Sequence, residues 1–302
     1  MSGAVEQALE PEIVGDPEMR SSRLRKWIVA LSVIVLSWLL ISEDASADPM
    51  LDVLIGGQSR QFGRDELLLR PDVANVEVAN DVAYGKAMSY RAVPVAALLV
   101  GLNPPGDSVV EAVALDGFAA QLPLDLLVNT DSDKAVAWLA IEPADNPWPG
   151  LPNKPVSAGP FYVVWTGASA AAIRSEQWPY QLAKLESKPL PTVRWPELGV
   201  DPSLPATHPV RAGLALFVAQ CLPCHTVNGA GSSALGPDLN QPMNPTQYLT
   251  RDGLRALIRD PSSVRTWPTQ QMPGFAADQM TDAEIDLVIG YLTHMKAWRG
   301  SP

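Results

Sequence analysis

The pattern of apolar and polar positions changes twice along the chain. Trp27 to Ile41 is an apolar run of about 15 residues, at the short end for a spanning helix, which needs roughly 17–25. From residue 48 onward, short apolar runs such as Val109 to Leu115, Ala135 to Ile141 and Phe161 to Trp165 alternate with turn residues. That pattern predicts β-strands. Asp116-Gly117, between two such runs, is a hairpin signal, and Pro94 to Leu102 suits a short helix. In the last third the period becomes helical. Val210, Leu214, Phe217, Val218 and Cys221 share one face. Thr281 and Glu284 form a capping box, which opens a helix with Ile285, Val288, Ile289, Leu292 and Met295 on one side. Thr246 to Arg259 reads as a further helix ending at Asp260-Pro261.

These periods divide the chain into three parts. Residues 1–47 are an N-terminal tail with a targeting segment, 48–200 a β-rich (α+β) middle domain, and 201–302 an all-α domain. The Pro-rich stretch Lys188 to Pro209 reads as an extended linker between the last two. Arg20, Arg23, Arg25 and Lys26 stand just ahead of the apolar run, and Ala45-Ser46-Ala47 follows it. A basic flank, a short apolar run and an A-x-A site define a secretory signal cleaved after Ala47. The same segment, retained, is an N-terminal membrane anchor through residues 27–41. Either way the positive flank stays inside, and residues 48–302 are expected in the periplasm, free or anchored.

Composition narrows the function. The formal net charge of −11 lacks the basic face that nucleic-acid binding requires. The 29 prolines favour turns and loops over long helices in the middle region. Only two cysteines exist, and both lie in one motif, so a disulfide framework is excluded.

That motif is Cys221-Leu222-Pro223-Cys224-His225, a C-x-x-C-H haem-attachment pattern. Two thiols one helical turn apart can add to the two vinyl groups of one porphyrin. The adjoining imidazole of His225 then reaches the iron from one face. A zinc site would need two more suitable ligands, and the other histidines are only His208 and His294. The second iron ligand should be a methionine or a histidine. Met272, in a Pro/Gly loop before the last helix, is the first candidate, and Met243 is the runner-up. Met280 and Met295 read as packing residues, and ligation by His208 or His294 would give a bis-histidine iron.

On these residues the C-terminal part, about 208–297, resembles a class I cytochrome c. The matches are Cys221 to His225, Gly236-Pro237-Asp238-Leu239, Met272-Pro273 and the two terminal helices. The resemblance implies one covalent haem c held by Cys221 and Cys224, with iron ligands His225 and Met272. It also implies that Pro237 positions the histidine, and that Gly213, Phe217 and Tyr291 form a helix-crossing contact. Trp267, Arg265 and Tyr248 are candidates to bond the haem propionates. About residues 81–185, the segments Tyr90 to Leu99, Asp116 to Pro123 and Gly159 to Trp165 resemble the molybdopterin-binding oxidoreductase fold of the sulfite oxidase type. That family holds molybdenum through a cysteine, and residues 48–200 contain neither cysteine nor histidine. A cofactor-free relative is the expectation.

The expected function is an exported monohaem electron carrier exchanging electrons with redox partner proteins. Two alternatives stay open: a two-domain oxidoreductase whose middle domain oxidises a small substrate, and a haem-bearing sensor or docking protein.

Overall fold

The computed structural model describes residues 48–152, 154–268 and 270–298. The targeting segment and the cleavage site after Ala47 lie outside them. Among the described residues no helix is long and apolar enough to cross a membrane.

The β-rich part holds two sheets. The first has strand order β2-β1-β9-β5-β6, from β1 (Met50–Ile55), β2 (Gln58–Gly63), β5 (Ser108–Ala114), β6 (Ala119–Pro123) and β9 (Leu182–Pro189). The second has order β3-β4-β7-β8, from β3 (Ala74–Asp81), β4 (Lys86–Pro94), β7 (Val136–Ile141) and β8 (Phe161–Thr166). All pairings are antiparallel except β1 with β9. In β1 the alternation is simple: Leu51, Val53 and Ile55 face the core. Gly56 and Gly57, both at positive φ, turn β1 into β2. Asp116-Gly117 joins β5 to β6.

Phe161 to Trp165 are buried on both faces of β8, although β8 ends its sheet. The following segment covers that edge. Trp165 Nε1 donates to Gln177 O at 2.9 Å, and the Val163 N–H donates to Pro179 O at 3.0 Å. This covering segment, residues 174–178, also meets the helical part.

The helical part has three long helices: α1 (Pro209–Gln220), α2 (Arg251–Arg259) and α3 (Asp282–Ala297). Thr281 caps α3 by accepting from the Glu284 N–H, and the Glu284 carboxylate accepts from the Thr281 N–H at 2.8 Å. α1 crosses α3 at Gly213. A Cβ there would overlap Leu287 O and sit 2.9 Å from Tyr291 Cβ. Beside the crossing the rings of Phe217 and Tyr291 lie 5.1 Å apart. The face of α1 is shorter than its periodicity predicts: Gly213, Phe217 and Gln220 are buried, while Val210, Leu214 and Val218 are half-buried.

Two predicted elements differ. Thr246 to Arg259 is not one helix. A 3-10 turn spans Pro245–Gln247, and Thr250 then caps α2 by accepting from the Gly253 N–H, so the side-chain cap resets the start. The Pro-rich stretch is not extended. Pro191–Arg194 and Pro196–Leu198 are short helical turns, each with proline in its first turn, where its missing N–H costs nothing. Leu198 and Val200 are buried in the helical core, and the Tyr291 hydroxyl donates to Leu198 O at 2.9 Å.

The two parts share a polar seam. The Ala119 N–H donates to Pro223 O at 3.1 Å, inside the C-x-x-C-H motif. The buried carboxylate of Glu111 accepts from Gln121 Nε2 at 2.9 Å, Arg194 Nη1 at 2.9 Å and Ser232 Oγ at 2.6 Å. Arg174 binds Glu284 at 2.5 Å and also donates to Gln279 O.

Substituting Gly213→Ala should cost about 1–3 kcal/mol, the range for overpacking a tight contact, read as a shift in denaturation midpoint. The hydrogen bond from Arg174 holds the Glu284 carboxyl down to about 2, below its ordinary 4.5. A carboxyl depressed on folding stabilises fully above its unfolded value and loses that contribution as pH falls through the folded one. Thermal melts should therefore show this part of the stability intact above about pH 4.5 and fading toward pH 2. The Glu284→Gln protein should lack that acid-dependent component.

Candidate functional site

The C-x-x-C-H motif continues the last turn of α1. The N–H groups of Cys221 and Leu222 both donate to Phe217 O, and the His225 N–H donates to Cys221 O at 2.8 Å. One helical turn therefore carries both thiols and the imidazole. Neither cysteine is disulfide-bonded. Burial, reinforced by the charge of Glu176, pushes both thiols up to about 12.

A strap over residues 236–241 orients the histidine. The Gly236 N–H donates to Cys224 O and the Leu239 N–H to Thr226 O, both at 2.8 Å. Pro237 O lies 2.8 Å from His225 Nδ1. A carbonyl can only accept, so Nδ1 carries the proton and Nε2 keeps its lone pair for a metal. Burial lowers the pKa of His225, which also favours the neutral, ligating form. Gly236 is required by contact: a Cβ there would lie 2.5 Å from His225 Nδ1 and 2.9 Å from Nε2.

The strap is itself held. Asp238 accepts from the N–H groups of Gly229, Asn240 and Gln241 and from the Thr226 hydroxyl. Burial pulls its carboxyl up, but these donors hold it below the ordinary value. Asn240 Nδ2 then donates to Asn228 Oδ1 and Met295 O, and Asn244 Nδ2 donates to Asn240 Oδ1 and Leu292 O. This asparagine relay ties the strap to the last turn of α3. Sequence reading missed it; three asparagines in a loop carry no period, and the carbonyls they reach are more than forty positions away.

The candidate methionines separate by burial. Met280 and Met295 are fully buried in the helical core, and Met243 is 51% exposed. Met272 packs at the rim of that core, in a segment without regular structure. Arg259 pins this segment through Phe275 O and Met280 O while its other nitrogen binds Asp282. The other two histidines are engaged elsewhere. His208 caps α1 by accepting from the Val210 N–H, and His294 Nε2 accepts from the Asp201 N–H at 3.2 Å. Trp267 and Tyr248 are exposed, and the Arg265 guanidinium lies 5.6 Å from the Trp267 ring centroid.

The β-rich part has its own buried polar cluster. Asp81 accepts from Tyr90 Oη at 2.8 Å, Tyr162 Oη at 3.3 Å and the N–H groups of Ala83 and Tyr84. Burial still raises its pKa. Among the described residues no group of three or more His, Cys, Asp or Glu is placed to hold a metal ion.

The donor set fits a c-type haem. It offers two thiols on one turn, an imidazole with Nδ1 committed and Nε2 available, and a glycine where a side chain would displace that ring. Comparison with known proteins agrees: residues 210–296 match the family model described as Cytochrome c. The match supports a cytochrome c domain over this segment and with it a haem-binding, electron-transfer role; domains of that family carry covalently bound haem c. No curated protein matches the chain. Replacing Gly236 with alanine should tilt the imidazole off its Pro237 contact. The expected result is lower covalent haem content in purified protein, with an altered haem absorption spectrum, while the far-ultraviolet dichroism of the β-rich part persists.

Proposed function

We propose that the chain is an exported monohaem cytochrome c whose haem is bonded to Cys221 and Cys224, with iron ligands His225 and Met272. The observation that carries this reading is the His225 Nδ1 contact to Pro237 O at 2.8 Å on the turn that bears both thiols. Commitment of His208 and His294 to backbone groups supports methionine over a second histidine. Core burial of Met280 and Met295 and the surface position of Met243 support Met272 within that choice.

When bound, the haem supplies a one-electron iron couple. The chain's residues do the rest. Cys221 and Cys224 hold the group covalently, and His225 presents a fixed tautomer. Pro237 and the asparagine relay keep the imidazole from rotating, and Arg259 steadies the loop that brings Met272. Such rigidity suits electron transfer, because a ligand set that does not move between oxidation states adds little reorganisation. Export follows from the basic flank and A-x-A site ahead of residue 48, so donor and acceptor are periplasmic redox proteins. Residues 48–200 serve as a module that carries the haem domain and shields part of it.

The test is the spectrum of the oxidised protein with Met272 replaced by alanine. Loss of the sulfur–iron charge-transfer band and a lower reduction potential are expected. An unchanged band rules out Met272 as the ligand, and the same measurement on a Met243→Ala protein then examines the runner-up.

A further inference from the structure

Glu176 comes from the β-rich part, yet it stands against the haem-attachment turn. Its N–H donates to Oε1 of Gln220, the residue preceding Cys221, and its charge acts on both thiols. Among the described residues its carboxylate has no ion pair and accepts no hydrogen bond. The nearby charges are otherwise committed. Arg174, on the same segment, holds Glu284 of α3; Glu111 of β5 is held by Arg194 and Ser232. Asp116, in the β5–β6 turn, is exposed and acts on Cys224. Cys221 and Cys224 become thioethers on attachment and cease to titrate.

We propose that Glu176 is a redox-linked proton site: it binds one proton from solvent when a reduced partner protein delivers one electron, and releases it when that electron leaves. The proposal rests on the haem reading above. The step balances. Iron gains one electron and falls from the +3 to the +2 state, the carboxylate becomes a carboxylic acid, and the site keeps its net charge. Three features support it. An unpaired carboxylate beside the attachment turn senses the iron's charge without a cation to mask it. Packing around the carboxyl disfavours its charge and pushes it up to about 7, so a modest electrostatic change decides its protonation near neutral pH. Ser175 Oγ, Trp178 Nε1 and Gln220 Nε2 are buried in the same segment and on α1 with no hydrogen-bond partner. These are groups at which a bridging water can complete a hydrogen bond and link the carboxyl to solvent.

The experiment measures the reduction potential of the full-length, haem-loaded protein from about pH 5.5 to 8.5, the range in which a carboxyl raised this far titrates. In the wild type the potential should fall as pH rises, approaching a tenfold change in the reduction equilibrium per pH unit, about 59 mV for one electron. In Glu176→Gln the slope should flatten and the potential at the alkaline end should exceed that of the wild type. An equal slope in both proteins assigns the protons to other groups, such as haem propionates, and overturns the proposal. Redox-difference infrared spectra of the wild type give a second reading that does not depend on a variant folding. A protonated-carboxyl band should appear on reduction, and its absence overturns the proposal. Covalent haem content is measured first in the same sample. Its absence sinks the electron-carrier reading along with this one, whereas a loaded protein with a pH-independent potential sinks only the role of Glu176.

Discussion

The helical part depends on one close contact, the passage of Gly213 in α1 against the backbone of α3 at Leu287. Nothing larger than hydrogen fits between the two helices there. The contact fixes where α1 ends, and the C-x-x-C-H turn is simply the continuation of that end. It also sets the height at which Tyr291 meets Phe217 and at which the Tyr291 hydroxyl reaches Leu198 O. The C-terminus of α3, held by the crossing, then offers the carbonyls of Leu292 and Met295 to the asparagines that steady the histidine strap. An imidazole angle is thus set by a helix crossing through a chain of hydrogen bonds.

Much of this was legible in residue order. Cys221, Cys224 and His225 stand together on one turn, as their C-x-x-C-H spacing predicts, because that spacing is local. The Thr281–Glu284 capping box and the Asp116-Gly117 turn are local signals, and local signals survive folding. What was not legible is non-local. β1 pairs with β9, and no pattern within either strand identifies its partner. The linker failed for a related reason: proline content suggests an extended chain, but Leu198 and Val200 are apolar enough to be captured by the helical core. Thr246 to Arg259 has a helical period throughout, and only the side-chain cap at Thr250 shows that the helix starts later.

The seam between the β-rich and helical parts changes how the cytochrome c domain should be regarded. Pro223, between the two cysteines, has its carbonyl taken by Ala119 of β6, and Glu176 stands beside the thiols. The environment of the attachment turn is therefore written partly by residues outside the segment 210–296 that matches the family. Sequence comparison confined to that segment carries no information about them.

Glu111 draws a further consequence. Its buried carboxylate gathers a neighbour from its own hairpin, a guanidinium from the connecting stretch and a hydroxyl from the loop after the C-x-x-C-H turn. Breaking a buried pair by removing one partner costs about 3–5 kcal/mol, because the remaining charge is stranded. Shuffling either half onto a foreign partner would strand Glu111 in this way. Arg194 and Ser232 are thus tied to β5 through one carboxylate, and two separate cores share a single buried charge.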